Sequence, residues 1–537
     1  MARQILIRDG TVYDGSGQAP VAADLAIVGD RVAAIGRGEK GGEELDASGL
    51  AVAPGFINVL SWATESLIED GRGQSDLRQG VTLEVFGEGE SMGPLNDALA
   101  EELVRQQTNV RYEIEWSTLG EYLEYLERRG VAPNVASFVG AATVRAHVVG
   151  YDDREPTAAE LAQMRELVRS AMAEGAVGVG AALIYAPGCY AKTDELIELA
   201  RVAADGRGLF AAHLRSEGDR LLEALDELIA IARTSGVRAE VHHLKAAGRA
   251  NWPKLEPATE RIEQARADGL DVTANMYTYA AGGTGLSAGM PPWVQEGGFE
   301  AWRERLRDPQ VRDRVEKEMT APNGEWENLF LLAGPENIRF TAFASDELRR
   351  YTGRTLADVA GERGLSPAQT AMQLVVEDGS RVEAAFFLMS EENVRHEVGL
   401  PWMSFCSDSI AAAPEGVFLQ WRPHPRAYGS FARLLGRYVR EEGLVPLEEA
   451  VRRLSSLPAD NLRLRQRGRL RPGYFADVVV FDPTTIEDHA TFEDPHRYAS
   501  GVVHVLVNGI PVIRDGEHTG ALPGRVVRGP AWRRRAN

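Results

Sequence analysis

Three short segments of this chain end an apolar run on a side chain that can bind a cation or carry a proton. Ala211-Ala212-His213-Leu214-Arg215-Ser216-Glu217-Gly218 offers one imidazole, Val241-His242-His243-Leu244-Lys245 offers two, and Phe405-Cys406-Ser407-Asp408 offers a carboxylate. Neutral imidazole and carboxylate are both good zinc ligands. A residue at the end of a barrel strand points into the barrel mouth, where such groups can meet. His242 and His243 are neighbours, so in a regular strand they point to opposite faces and one of them faces the axis. Cation ligands, a carboxylate and a shared strand end are what a metal-assisted hydrolysis needs: an activated water and a group that can carry its proton.

Positioning such groups takes a large, regular scaffold. At 537 residues the chain can bury a sizeable core and hold more than one structural unit. Its hydrophobic content of 44% and charged content of 26% are those of an ordinary soluble globular protein. No apolar stretch approaches a membrane span. The start, Met1-Ala2-Arg3-Gln4-Ile5-Leu6-Ile7-Arg8-Asp9, is too charged for a signal peptide, so a cytoplasmic location is expected. The formal charge of −20 argues against general affinity for nucleic acid. Trp532-Arg533-Arg534-Arg535 reads as a solvated end rather than a binding arm. With only Cys189 and Cys406, a disulfide framework is not expected, and Cys406 reads as a small core residue.

The rhythm of elements points to a barrel. Residues 4–7, 22–28 and 31–35 read as short strands, and so do 477–481 and 502–507, with Asn508-Gly509 as a hairpin turn. These β-rich ends suggest one small β-sandwich drawn from residues 1–55 and 470–537. Between them strands and helices alternate. Thr157-Ala158-Ala159-Glu160 is a capping box before the amphipathic run 161–173. Strands are expected at 176–181, 209–213, 240–244 and 271–277, and helices at 193–204, 220–234 and 258–268. That alternation implies parallel βαβ units and, at this length, an α/β fold of the TIM-like (β/α)₈ type over residues 56–469. The stretch 291–337, rich in Trp, Glu and Arg, breaks the rhythm and reads as an insertion that covers the site.

Together these segments resemble the amidohydrolase superfamily and, within it, the N-acyl-D-amino-acid deacylase (D-aminoacylase) family. The resemblance spans nearly the whole chain, in order. It includes Arg8-Asp9-Gly10-Thr11-Val12, Ala53-Pro54-Gly55-Phe56-Ile57, Gly80-Val81-Thr82, Leu183-Ile184-Tyr185-Ala186-Pro187-Gly188, Arg422-Pro423-His424-Pro425-Arg426-Ala427-Tyr428-Gly429 and Gly473-Tyr474-Phe475-Ala476-Asp477. One part departs from it. Where such hydrolases carry His-x-His, this chain has Leu60-Ser61-Trp62, and neither Leu60 nor Trp62 can bind a cation.

The resemblance implies a site. His213 and His243 become metal ligands, and His242, in place of a small polar residue, is expected outside the barrel. The family's cysteine ligand is missing, and Gly87-Glu88-Gly89-Glu90-Ser91 stands there instead; Glu88 is the candidate replacement, with Glu90 and Glu84 as alternatives. A family Gly-His is Gly140-Ala141 here. Asp408 takes the place of the carboxylate that accepts a proton from water and passes it to the leaving nitrogen. Lys245 and Tyr277 are the expected substrate contacts. Arg215 is the expected partner of a substrate carboxylate, with Tyr185, Tyr190 and His424 also near strand ends.

The expected function is therefore a metal-dependent hydrolase, with about one Zn²⁺ per chain, that cleaves an N-acyl-amino acid to a carboxylic acid and a free amino acid. The D configuration is implied by the resemblance alone. Its partner is a small-molecule substrate, with room for homo-oligomer assembly. Two other readings compete: hydrolysis of a cyclic amide such as a hydantoin or dihydropyrimidine, or of a dipeptide, and a non-catalytic descendant of the same fold.

Overall fold

The computed structural model describes residues 3–37, 42–322 and 325–533. The last residues of the basic tail, 534–537, and positions 323 and 324 of the expected insertion lie outside the described residues.

Eight parallel strands form a closed barrel: Phe56–Asn58, Val81–Phe86, Asn134–Ser137 running on into Val139–Gly140, Gly178–Ala182, Leu209–His213, Arg238–Val241, Val272–Met276 and Met403–Phe405. The eighth strand meets the first through backbone bonds just beyond the strand ends: Asp408 N–H donates to Leu60 O and Trp62 N–H to Ser409 O, both at 2.9 Å. Alternation along the strands divides the core. Leu83, Val85, Ala136, Phe138 and Ala211 pack within the barrel, while Phe86, Phe210 and Ala212 pack against the surrounding helices.

The helices follow local signals. Ala158–Glu174 opens on the expected capping box: the Thr157 hydroxyl accepts from Glu160 N–H, and the Glu160 carboxylate accepts from Thr157 N–H at 2.7 Å. Such a cap contributes about 1 kcal/mol. Gly175, at φ 117°, ends the helix. Thr193–Asp205, Leu221–Ser235 and Leu255–Ala267 follow the fourth, fifth and sixth strands.

Both ends of the chain join one nine-stranded sheet, in which Ala51–Pro54 pairs antiparallel with Val478–Phe481. Asn508 and Gly509, at φ 50° and 75°, make the tight turn between Val502–Val507 and Ile510–Arg514. Between the seventh and eighth barrel strands the chain builds an antiparallel sheet, Gly282–Gly285 beside Glu383–Phe386 beside Ile338–Ala342, with helices around it. The insertion expected at 291–337 lies inside this longer excursion. Its first strand, Gly282-Gly283-Thr284-Gly285, has no apolar alternation to reveal it. Among the described residues no helix is long and apolar enough to cross a membrane.

Candidate metal centre and active site

Glu88, His213 and His243 converge at the carboxyl end of the barrel, all buried, with ligand atoms within 4.8 Å of one another. His213 is the last residue of the fifth strand. His243 follows the sixth strand at φ 34°, a left-handed conformation that turns its ring toward the axis. Glu88 follows the second strand between Gly87 and Gly89, at φ 101° and 71°. A Cβ on Gly87 would lie 2.4 Å from the carbonyl oxygen of Phe138, so only glycine lets the loop pass there.

The three donor atoms are arranged as a cation site requires. His243 Nε2 lies 2.6 Å from Glu88 Oε1, His213 Nδ1 lies 3.1 Å from His243 Nε2, and His213 Nδ1 lies 3.5 Å from Glu88 Oε1. A tetrahedral zinc with N and O ligands has ligand–ligand edges of about 3.3–3.6 Å. Two of the three separations are close to that range, and the third needs a shift of less than ~1 Å. Two imidazoles and a carboxylate leave a fourth position for water or substrate, the pattern of a catalytic rather than a structural zinc site.

Behind the imidazoles sits Glu217. Its Oε1 is 3.0 Å from His243 Nδ1, and its Oε2 is 3.6 Å from His213 Nε2. A carboxylate within hydrogen-bond distance behind a ligating histidine fixes its ring and tautomer, which Glu217 can do for His243, while at His213 it adds only its charge. Lys245 Nζ completes the group, 2.5 Å from Glu217 Oε1 and 2.6 Å from His243 Nδ1. The electrostatics are dense. Burial opposes ionisation of Glu88, but the two imidazoles outweigh it and hold its carboxyl well below the usual range. Burial and Lys245 oppose charging of His243, yet Glu88, Glu217 and Asp408 lift it to about 9.

Asp408, at φ 47°, faces the same cavity from the end of the eighth strand. Arg426 Nη1 lies 2.7 Å from its Oδ2, and Trp62 Nε1 donates to its Oδ1 at 3.1 Å. The same indole N–H lies 3.2 Å from Glu88 Oε2. Trp62 thus bridges the candidate ligand and the candidate proton carrier. Burial raises the Asp408 carboxyl, and Glu88 adds to this, while Arg426 works against both.

The other expected residues are distributed unevenly. Tyr277 lines the cavity, buried, with Arg426 stacked 4.5 Å over its ring; the sulfur of Met389, at 3.8 Å, is a weak partner for its hydroxyl. Lys245 lines it too, in a buried pair rather than a surface salt bridge. Arg215 does not line it. Its guanidinium binds both oxygens of Glu227, at 2.9 and 3.0 Å, and the carbonyls of Cys189 and Ala191, so the expectation that it holds substrate is corrected. Tyr190 donates to Pro292 O, and His424 bonds Ala281 O and accepts from Arg426 N–H, which fixes the start of the helix carrying Arg426. Glu84 is held on its strand by Asn58 at 2.9 Å, away from the histidines.

His242 is a second correction. Its ring lies 5.8 Å from that of Phe138, edge to face, and its Nδ1 is 3.0 Å from Asn275 Nδ2. Phe138 belongs to the third strand, so the two rings meet across the barrel lumen. His242 is inside, not outside: it shares the inner face with Glu240, two residues earlier, whose carboxylate bonds the same Asn275 amide, and the left-handed turn at His243 breaks the alternation after it and brings the second ring inward too. Burial lowers its pKa to about 3, which keeps it neutral.

Glu217, Arg426 and the bridging role of Trp62 were not singled out by sequence. Glu217 and Arg426 lie in the quoted histidine and Arg-Pro-His-Pro-Arg segments, so the signal was adjacent. Their pairings with His243 and Asp408, 26 and 18 positions away in the chain, were not visible.

The chain is similar to known amidohydrolases. The amidohydrolase family model matches residues 414–513. D-aminoacylase of Alcaligenes xylosoxydans xylosoxydans is 35% identical over 529 residues, covering 97% of each chain. A solved D-aminoacylase with a binuclear metal centre, described by one-metal activation and second-metal attenuation, is 32% identical, with TM-score 0.81 over 98% of this chain and 99% of that one. The N-acyl-D-glutamate deacylase of Bordetella bronchiseptica, solved with zinc and a phosphonate mimic of the tetrahedral intermediate, is 32% identical, with TM-score 0.80 over 98% and 99%.

Proposed function

The chain belongs to the D-aminoacylase family of amidohydrolases, and from that premise we propose that it is a zinc-dependent deacylase that hydrolyses N-acyl-D-amino acids to a carboxylic acid and a free D-amino acid. The observation that carries this is the meeting of Glu88, His213, His243 and Asp408 at one cavity.

Glu88, His213 and His243 would hold one zinc, which polarises the scissile carbonyl and lowers the pKa of a water. Asp408 takes the proton from the attacking water and returns it to the leaving nitrogen. Arg426 and Trp62 hold its two oxygens, so it enters the reaction already oriented. Tyr277 directs a hydroxyl with only a weak sulfur partner into the cavity and suits a developing oxyanion. Lys245, Arg381 and Arg426 are the cations that line the cavity and are available to the substrate carboxylate; Arg426, beside Tyr277, thus takes the role expected of Arg215.

The alternatives are less well supported. A decayed site would not keep a second carboxylate behind both imidazoles. A cyclic-amide hydrolase is not what the full-length relatives above 30% identity are. The reading extends to a cytoplasmic enzyme of small molecules, free to form homo-oligomers, with no nucleic-acid partner; the charge of −20 supports the last point.

The test is hydrolysis of N-acetyl-D- against N-acetyl-L-amino acids by zinc-loaded and chelated protein. Turnover of D substrates that disappears on chelation is expected. Turnover of hydantoins or dipeptides instead would refute the assignment.

A further inference from the structure

The cavity at the metal centre, about 250 Å³, lies beside a second of about 660 Å³. Trp62, Tyr185, Arg381 and Arg426 line both, so the two adjoin at these side chains. The outer walls come from the segment after the second barrel strand, which gives Met92, Leu103 and Val110, and from the long excursion before the eighth strand, which gives Phe299, Trp302 and Phe343.

We propose that the outer cavity binds an extended apolar acyl chain, making this an enzyme for N-acyl-amino acids with medium or long fatty acyl groups. This rests on the deacylase function proposed above.

Three observations support it. The first is orientation. Lys245 and Tyr277 line only the inner cavity, alongside the apolar side chains of Leu329, Phe386 and Leu388. A substrate carboxylate drawn to Lys245 puts the amino-acid half inside, and the acyl group on the far side of the scissile carbonyl then points outward past Trp62. The second is size. A cavity of about 660 Å³ falls in the range that encloses whole drug-sized ligands and greatly exceeds an acetyl group. The third is charge. Glu65, Glu90, Glu102, Glu300 and Glu383 line the outer cavity against Arg105, Arg381 and Arg426, and Arg426 is already paired with Asp408. Carboxyl groups outnumber guanidinium groups on that wall, and burial raises those of Glu65 and Glu102. A neutral chain is accepted there, and an anionic substituent is repelled.

The experiment is a series from N-acetyl- to N-dodecanoyl-D-leucine on the zinc-loaded enzyme. KM is expected to fall roughly fourfold per added methylene over the first several carbons, with kcat nearly constant. Thr108→Trp, at an exposed position on the outer wall, and Ala342→Trp should each weaken the decanoyl substrate at least about tenfold while leaving the acetyl substrate unchanged. A KM that is flat or rises with chain length overturns the proposal. So does a KM that responds to the length of the amino-acid side chain and not to the acyl group, because the outer cavity would then hold the other half. Calorimetry with decanoate and acetate separates this from failure of the deacylase reading. Decanoate binding no tighter than acetate overturns the proposal whether or not any substrate is hydrolysed. Tight decanoate binding, lost in Ala342→Trp, upholds the cavity even if D-leucine derivatives are not the substrates.

Discussion

Two parts of the barrel mouth differ in what they present to the same centre. The fifth and sixth strands end on His213 and His243, backed by Glu217. The first strand leads to Leu60, which packs in the core, and to Trp62, whose indole N–H lies between Glu88 and Asp408. One side supplies cation ligands. The other holds two carboxylates with a neutral donor. The difference teaches that a position which binds no cation can still organise the anions around one.

The largest expected effects test the histidine side. His243→Ala should abolish stoichiometric zinc, measured by metal analysis, and lower kcat/KM by on the order of a thousandfold or more, since zinc contributes several kcal/mol to such a transition state. Asp408→Asn should keep its zinc and lose about 10²–10⁴ in kcat, as expected for removal of a general acid–base group. Loss of metal in that variant would mean that Asp408 is a ligand instead. Glu217→Gln should weaken zinc by about 10–100-fold in a chelator competition, because the imidazoles lose their anionic support.

Smaller effects test the tryptophan side. Trp62→Phe keeps the ring and removes the N–H. Zinc content should stay near one per chain, and kcat should fall about tenfold, the scale of a hydrogen bond to a charged group. An unchanged kcat would reduce Trp62 to a wall of the cavity.

The smallest effect concerns pH. Without metal, His243 is raised from its ordinary value of 6.5 to about 9. A raised pKa stabilises the fold below the unfolded value, and that contribution is lost as pH climbs through the folded one. Zinc binding requires the neutral ring. The Tm gain on adding zinc should therefore widen between pH 6.5 and 9; a constant gain would show that His243 is not charged in the metal-free protein.

Much of the scaffold was legible because its signals are local. The fifth strand runs Leu209–His213, as its apolar run indicates, and the helix after Thr157 opens on its capping box. The Asn508-Gly509 turn has the positive φ its residues favour. What could not be read depends on partners distant in sequence or on single dihedral angles. Arg426 reaches Asp408 because a helix start pinned by His424 aims it there. Arg215, the more obvious candidate, is taken by Glu227 on the next helix. His242 and His243 both face inward because φ 34° at His243 breaks the strand alternation there.

The sequence by itself determined the barrel, its order of strands, and the residue types available at each strand end, because periodicity and turn chemistry are properties of neighbours along the chain. Only the tertiary structure decided which of those groups face one another. Glu217 stands behind two histidines, Trp62 spans two carboxylates, and the excursion before the eighth strand encloses a second cavity, because barrel closure brings together side chains from all around the mouth, some of them more than three hundred residues apart.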